Sequence, residues 1–194
     1  SWTSVTYGGG QYVAVPAGGG PNAAYSTDGR AWTAVTTPVA QTWRSVAYGN
    51  GRFIAVAEYT GAQQVMTTVN GINWAVSTAA EANEWYSVTY GESAGFVAVA
   101  ASGTNRVMVS TTGTSVWSNA VAAAPNDWYS VCYGNGRYVA VAQSGDNRAM
   151  YSDNGISWTL SNGIDQNNWY KVTYGDGKFV AVAVDGVNKV MYSV

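Results

Sequence analysis

Hydrophobic and polar residues alternate along this chain in short runs that repeat about every 42 residues. Each repeat begins with the segment W-x-S-V-x-Y-G, and its tryptophan is found at Trp2, Trp43, Trp85, Trp128 and Trp169. These tryptophans are spaced by 41, 42, 43 and 41 residues, and in the fifth copy Lys171 replaces the serine. A period this regular indicates one structural unit that is used five times.

Within a repeat, the hydrophobic runs are too short for helices and are separated by turn residues. The second repeat shows the pattern: a turn at Gly49-Asn50-Gly51, then the run Phe53-Ile-Ala-Val56, and later a second turn at Asn70-Gly71. Asn-Gly between apolar runs is a strong hairpin signal, because both turn residues need a positive φ. A fourth run follows the second turn and carries a second tryptophan column at Trp32, Trp74, Trp117 and Trp158. Each repeat is therefore predicted to contain four short strands joined by tight turns.

Four strands in about 42 residues, repeated five times, predict an all-β, five-bladed β-propeller in a single domain. A solenoid is the main alternative, but solenoid repeats are shorter or helical. The predicted blades cover about 2–40, 41–82, 83–125, 126–166 and 167–194.

The fifth repeat contains only three of the four runs, since it lacks the second turn and the second tryptophan. We therefore expect a three-stranded last blade whose outer edge near Met191–Val194 is free. An unpaired edge can bind another chain, so a homo-oligomer formed through this edge is one expectation. That the sequence is part of a longer chain is an equally good explanation.

The second turns resemble a known repeat. Ser26-Thr-Asp28-Gly29-Arg-Ala-Trp32 and Ser152-Asp-Asn154-Gly155-Ile-Ser-Trp158 are similar to the Asp-box (BNR) motif S-x-D-x-G-x-x-W, although the Asp-to-Gly step is one residue shorter here. The resemblance implies the third-to-fourth strand hairpin of a propeller blade, away from the binding face. The predicted architecture is also similar to that of five-bladed tachylectin-type lectins.

Composition narrows the range of partners. With 9 basic and 11 acidic residues the net charge is −2, so the dense basic patch that nucleic acid requires is absent. Disorder is excluded because 47% of residues are hydrophobic and only 10% are charged. No apolar run approaches the length of a membrane helix, so we expect no membrane insertion.

Candidate catalytic and metal-binding residues are few. The chain contains no histidine, which excludes the Ser-His-Asp and Cys-His nucleophile systems. The single cysteine, Cys132, lies in a hydrophobic run typical of a buried, unreactive thiol. No glutamate lies in a predicted inner strand, and the aspartates lie in turns. We therefore expect no metal, no cofactor and no enzyme activity.

A candidate binding surface follows from strand direction. The loop between the second and third strands and the connection between blades lie at the same end of a four-stranded meander, which we name the loop face. The loop contributes Asn105, Arg106, Asn147, Arg148, Asn188 and Lys189, whereas blade 1 offers only Gly20-Pro-Asn22-Ala23. The connection and the following strand contribute Trp85, Tyr86, Asp127, Trp128, Tyr129, Trp169 and Tyr170.

Amide, guanidinium and aromatic groups together suit sugars, which take hydrogen bonds at their hydroxyls and stack their apolar face on a ring. The sequence therefore favours a lectin-like module that binds glycans. The alternative is a structural or adhesive propeller of a cell surface, fibre or virion that binds a surface protein. Structural roles also remain open for these residues: the tryptophans can fill the wedge between blades, and the arginines can bind the neighbouring blade.

Overall fold

A computed structural model describes residues 1–18, 22–58, 61, 63–114 and 116–193 of the chain. Within these residues the regular structure is all β, and antiparallel neighbours form five sheets of four, four, four, four and three strands. In chain order the strands are β1 (Trp2–Gly8), β2 (Gln11–Pro16), β3 (Asn22–Ser26), β4 (Thr33–Thr36), β5 (Trp43–Gly49), β6 (Arg52–Ala57), β7 (Val65–Thr68), β8 (Ala75–Ser77), β9 (Trp85–Gly91), β10 (Gly95–Ala100), β11 (Val107–Ser110), β12 (Ser118–Ala120), β13 (Trp128–Gly134), β14 (Arg137–Ala142), β15 (Ala149–Ser152), β16 (Thr159–Leu160), β17 (Trp169–Gly175), β18 (Lys178–Ala183) and β19 (Val190–Tyr192).

Each sheet is one blade with its strands in sequential order, so β1–β4 form blade 1 and β17–β19 form blade 5. The predicted five-bladed propeller with a three-stranded last blade is confirmed. Gly20, expected in a loop of blade 1, and Val194, expected at the free edge, lie outside the described residues. Within the described ranges, no helix is long and apolar enough to cross a membrane.

The two tight turns of a blade form for the reasons that the sequence indicates. Gly49 pairs with Arg52, so Asn50 and Gly51 alone connect β5 to β6, and both have positive φ (46° and 74°). In the second turn of blade 1 the Asp28 carboxylate accepts hydrogen bonds from the N–H groups of Arg30 and Ala31, at 2.8 and 2.9 Å. These hydrogen bonds lower the pKa of the Asp28 carboxyl. Asn70 and Asn154 accept the corresponding pairs of bonds in blades 2 and 4.

The hydrophobic core lies in layers between neighbouring blades. One cluster joins Val13 and Val15 of blade 1 to Trp43 and Phe53 of blade 2, and three similar clusters join the later pairs of blades. The first tryptophan of blades 2 to 5 is at most 1% exposed, whereas Trp2, which has no such layer over it, is 59% exposed. Strands that are apolar on both faces are expected for sheets packed between two other sheets.

A repeated hydrogen bond connects the innermost strands of successive blades. The serine of W-x-S-V accepts the backbone N–H of the valine in the next blade, at 3.1–3.2 Å. The pairs are Ser4 with Val46, Ser45 with Val88, Ser87 with Val131 and Ser130 with Val172. In blade 5 the position is Lys171, whose ammonium cannot accept a hydrogen bond.

A glycine–aromatic contact accompanies each of these bonds. A Cβ built on Gly134 would lie 2.1 Å from the ring of Tyr174 in the next blade, and Gly8, Gly49 and Gly91 show the same close approach to Tyr48, Tyr90 and Tyr133. A Cβ built on Gly175 of blade 5 would meet none of the other described residues within 4 Å, its two chain neighbours apart. Among the described residues β17 therefore does not pack on β1 as the other innermost strands pack on one another. We call this gap between blade 5 and blade 1 the open seam.

We expect Gly134→Ala to lower the free energy of unfolding by about 1–3 kcal/mol, because the added methyl group overpacks the junction between blades 4 and 5. Gly175→Ala is the matched control, since it makes the same change at the open seam and should cost about 0.5 kcal/mol or less. Urea denaturation of the two variants measures both effects. Equal losses would show that the seam is closed in solution.

Candidate functional site

A cavity of about 300 Å³ lies on the propeller axis and receives one residue from each blade. These residues are Thr3, Arg44, Tyr86, Tyr129 and Tyr170, and each is the second residue of an innermost strand. Trp2 and Lys171 also line the cavity, on the two sides of the open seam. We name this place the axial cavity.

A β-bulge places each of these five side chains at the axis. In blade 2 Trp43 pairs with Ala57 and Ser45 pairs with Val56, so Arg44 has no partner in the ladder. The same register shift occurs in the other four blades and leaves the corresponding residue unpaired. A bulge bends the strand and redirects the extra side chain. The residue after the tryptophan therefore departs from the strict alternation of the strand.

The axial residues form a continuous aromatic and charged row. The rings of Tyr86 and Tyr129 are 4.2 Å apart between centroids, and those of Tyr129 and Tyr170 are 5.9 Å apart. The Arg44 guanidinium lies 5.1 Å from the Tyr86 centroid, within cation–π range.

Glu58 holds one end of this row in place. Its carboxylate forms an ion pair with Arg44 and accepts a hydrogen bond from the Tyr86 hydroxyl at 3.1 Å. Burial, together with the neighbouring Tyr129, raises the pKa of the Tyr86 phenol, which stays protonated as a donor. Lys171 lies at the other end, where desolvation lowers the pKa of its ammonium group. The cavity therefore combines apolar ring faces, phenolic hydroxyls and cations, a combination that suits a small amphipathic ligand.

The predicted Asn–Arg pairs on the loop face hold the propeller together. Arg106 donates to the carbonyl oxygens of Ala101 and Gly103 at 2.9 and 3.2 Å and forms a 2.9 Å ion pair with Asp127 of the next blade. Asp127 also accepts a 2.5 Å hydrogen bond from Ser144. Most polar atoms of Arg106 and Asp127 are thus engaged within the protein.

Arg148 repeats the arrangement one blade later. It donates to the carbonyl oxygens of Gln143 and Gly145 and, at 3.0 Å, to the Asn168 side chain of blade 5. Lys189 occupies the same repeat position in blade 5, and its ammonium makes no such bond to the described residues.

The three predicted asparagines, Asn105, Asn147 and Asn188, lie in loops that accept hydrogen bonds from a second set of asparagines. Asn83, Asn126 and Asn167 are buried, and each donates to a loop carbonyl at 2.6 Å. The acceptors are on Asn105, Asp146 and Asn188, and Asn126 makes a longer bond of 3.3 Å to the carbonyl of Asn147. The Asn188 side chain itself bonds to Asp165 at 3.3 Å.

The predicted tryptophans and tyrosines have different environments. Trp85, Trp128 and Trp169 are fully buried, and their indole N–H groups donate to the backbone carbonyl oxygens of Glu81, Ala124 and Asp165 at 3.1, 3.1 and 2.9 Å. A buried ring offers no face to a sugar, so these tryptophans serve the junctions between blades. The adjacent Tyr86, Tyr129 and Tyr170 converge on the axial cavity.

The site residues that the sequence pattern does not reveal are Trp2, Thr3, Arg44, Glu58 and Lys171. The position after each tryptophan reads Thr, Arg, Tyr, Tyr and Tyr, and this variation hides their shared location. A bulge leaves no mark in the hydrophobic pattern, so only the strand pairing shows that these residues meet.

The acidic residues and the cysteine form no metal cluster within the described residues. Burial raises the pKa of the Cys132 thiol to about 12, which is far above the value of a reactive cysteine.

Comparison with protein-family models finds no match for this sequence, and comparison with curated proteins finds none either. Solved structures show the fold. Virginiamycin B lyase from Staphylococcus aureus superposes with a TM-score of 0.77 at 12% identity, over 94% of this chain and 62% of the lyase. YCF48 from Cyanidioschyzon merolae superposes with a TM-score of 0.63 at 12% identity, over 99% of this chain and 70% of YCF48. YCF48 bound to a D1 peptide gives 0.61 at 18% identity, over 100% of this chain and 66% of that one. The chain thus spans less than two thirds of the length of the lyase.

The lyase comparison corrects the expectation that this chain is not an enzyme. That expectation rested on the absence of histidine and of carboxylates in the predicted inner strands. A protein with the same fold is a lyase, so it was wrong to exclude enzyme activity on this basis. At 12% identity the likeness is one of fold alone.

We expect Arg106→Ala to lower the free energy of unfolding by about 1–2 kcal/mol, because it removes a partly buried ion pair and two loop hydrogen bonds. Lys189→Ala changes the same repeat position without breaking such bonds and should be close to neutral. Thermal unfolding of both variants provides the comparison. If Arg106→Ala left the free energy of unfolding unchanged, the guanidinium would not stabilise the fold, and ligand binding would be the better explanation of this residue.

We expect Cys132 to resist alkylation in the folded protein. With a pKa of about 12, about one thiol in ten thousand is ionised at pH 8, and the thiolate is the reactive form. Iodoacetamide labelling followed by mass spectrometry should show slow modification at pH 8 and fast modification in urea. Rapid labelling of the native protein would contradict the raised pKa of this thiol.

Proposed function

We propose that this propeller is a binding protein that takes a carbohydrate in the axial cavity. The observation that carries the proposal is the convergence of five bulge residues, one from each blade, on a single space that contains three tyrosines. Its volume of about 300 Å³ is at the lower end of the range for small-molecule sites and suits one or two sugar rings.

The chemistry of the lining supports a sugar. Tyr129 and Tyr170 offer apolar ring faces beside phenolic hydroxyls, and sugars present an apolar face and several hydroxyl groups in the same way. Tyr170 is 49% exposed, so a ligand can reach its ring. Lys171 adds a cation at the rim, so sugars that carry a carboxylate should bind more tightly than neutral ones.

A general binding role also agrees with the structural neighbours. Virginiamycin B lyase has been crystallised with quinupristin, and YCF48 with a D1 peptide. Proteins of this fold therefore bind both small molecules and peptides, and fold alone does not choose between them. The choice of a carbohydrate rests on the tyrosines of the axial cavity.

We expect Tyr170→Ala to weaken glycan binding at least tenfold while the protein stays folded, because this exposed ring supports few internal contacts. Trp32→Ala is the control, since it removes another exposed aromatic ring at the turn end of blade 1, outside the cavity. A glycan array with the purified protein identifies the sugar class, and calorimetry then compares the variants. An array without binding, or equal losses in both variants, would overturn the proposal.

A further inference from the structure

The axial cavity departs from the repeat at two positions, and both lie in blade 2. The bulge residue at the axis is charged only in this blade, where it is Arg44. The residue directly after the second strand is also charged only in blade 2, since in blades 1 to 5 it is Ala17, Glu58, Ala101, Gln143 and Val184. Two departures from the repeat that meet in one cavity are better explained by that cavity than by the general needs of the fold.

Arg44 and Glu58 form a closed unit with Tyr86 of the next blade. Two nitrogens of the guanidinium, Nε and Nη2, contact the same carboxylate oxygen, Oε2. The other oxygen, Oε1, accepts the 3.1 Å hydrogen bond from the Tyr86 hydroxyl. Both charged side chains are partly buried, which strengthens their attraction. We name the Arg44–Glu58 contact the axial ion pair.

The axial ion pair cancels the positive charge at this end of the cavity. An anionic group of a ligand that approached the Arg44 guanidinium would also approach the Glu58 carboxylate, and two like charges repel. Lys171, at the other end, forms no ion pair with the described residues. Within the described part of the cavity, Lys171 is therefore the cation that remains available to an anionic group.

The tyrosine row separates these two ends. Tyr86, Tyr129 and Tyr170 stand between the axial ion pair and Lys171, with ring centroids 4.2 and 5.9 Å apart in successive steps. A row of this length has room for two sugar rings, one near each end. The charge that each ring carries is then tested at its own end of the cavity.

We propose that the axial ion pair determines specificity: the axial cavity binds an oligosaccharide with a carboxylate on the ring at Lys171 and an uncharged ring at Glu58, and it rejects a carboxylate at both ends. This inference rests on the proposed function, because it concerns the same cavity. Without Glu58 the cavity would carry a cation at each end and would favour ligands with two carboxylates. Specificity of this kind needs a group that repels the wrong ligand as well as one that attracts the right one.

The alternative is that Glu58 serves only to hold Arg44 and the Tyr86 ring in place. A glutamine at this position keeps an oxygen that can accept hydrogen bonds from both partners, but it has no charge. Glu58→Gln therefore separates the two roles. A purely structural Glu58 leaves the preference between ligands of different charge unchanged, whereas a specificity-determining Glu58 does not.

Two ligands that differ in their number of carboxylates test the proposal. Methyl galacturonide carries one carboxylate, and digalacturonic acid carries one on each of its two rings. The affinity of each for the protein is measured by ligand-observed NMR titration. The unmodified protein should bind digalacturonic acid no more tightly than methyl galacturonide, although the disaccharide is the larger ligand. Tighter binding of digalacturonic acid would overturn the proposal without recourse to any variant.

Three variants identify the group that discriminates. Glu58→Gln should raise the affinity for digalacturonic acid, relative to methyl galacturonide, at least tenfold, because it leaves the Arg44 guanidinium unpaired. The double variant Arg44→Gln/Glu58→Gln removes both charges and should lose this gain. Glu92→Gln is the matched control, since it makes the same change in net charge in the exposed turn between β9 and β10, and it should leave the ratio of affinities unchanged. An unchanged ratio in Glu58→Gln, or a gain that persists in the double variant, would overturn the proposal.

These outcomes are distinguishable from a failure of the glycan proposal. If neither ligand binds to any of these proteins and the glycan array shows no binding, the axial cavity takes no carbohydrate and both proposals are wrong. If the array shows binding of neutral sugars alone, or if methyl galacturonide binds and Glu58→Gln does not change the ratio, only the role of the axial ion pair is wrong.

Discussion

The structure depends on the contact between successive innermost strands. At each of the four junctions a glycine lies against the aromatic ring of the next blade. A serine hydroxyl of the same strand as the glycine accepts a hydrogen bond from a backbone N–H of the next blade's innermost strand. A methyl group at the glycine would enter the ring, so this pair of contacts sets the spacing of the blades. The four buried layers form outside this contact and supply most of the apolar burial.

The axial cavity follows from the same strands. In blades 2 to 5 this strand begins with a tryptophan that packs into a layer between blades, and in blades 1 to 4 the serine two positions later bonds to the next blade. The bulge between them leaves one residue per blade that packs into neither layer, and all five such residues meet at the axis. Because these positions do not pack into the layers between blades, their residue types can differ from blade to blade. Here they are Thr3, Arg44, Tyr86, Tyr129 and Tyr170.

Within the described residues, blade 5 differs from the other four blades. Lys171 replaces the serine acceptor, a Cβ on Gly175 would touch no neighbouring blade among the described residues, and the described sheet has three strands. Within the described residues the propeller is therefore incomplete at the open seam beside blade 1.

The sequence by itself determined the fold, because a 42-residue period, Asx-Gly turns and strands apolar on both faces are local properties that only a propeller satisfies together. It also placed Tyr86, Tyr129 and Tyr170 among the candidates, though for their chemistry rather than their location. Only the tertiary structure decided which candidates can reach a ligand. Trp85 and Tyr86 are neighbours in the chain, yet one is buried between blades and the other faces the axis, because the bulge turns the second residue away from the layer. Arg106 and Asp127 are 21 residues apart and belong to different blades, so their pairing depends on how the blades pack, which no local pattern records.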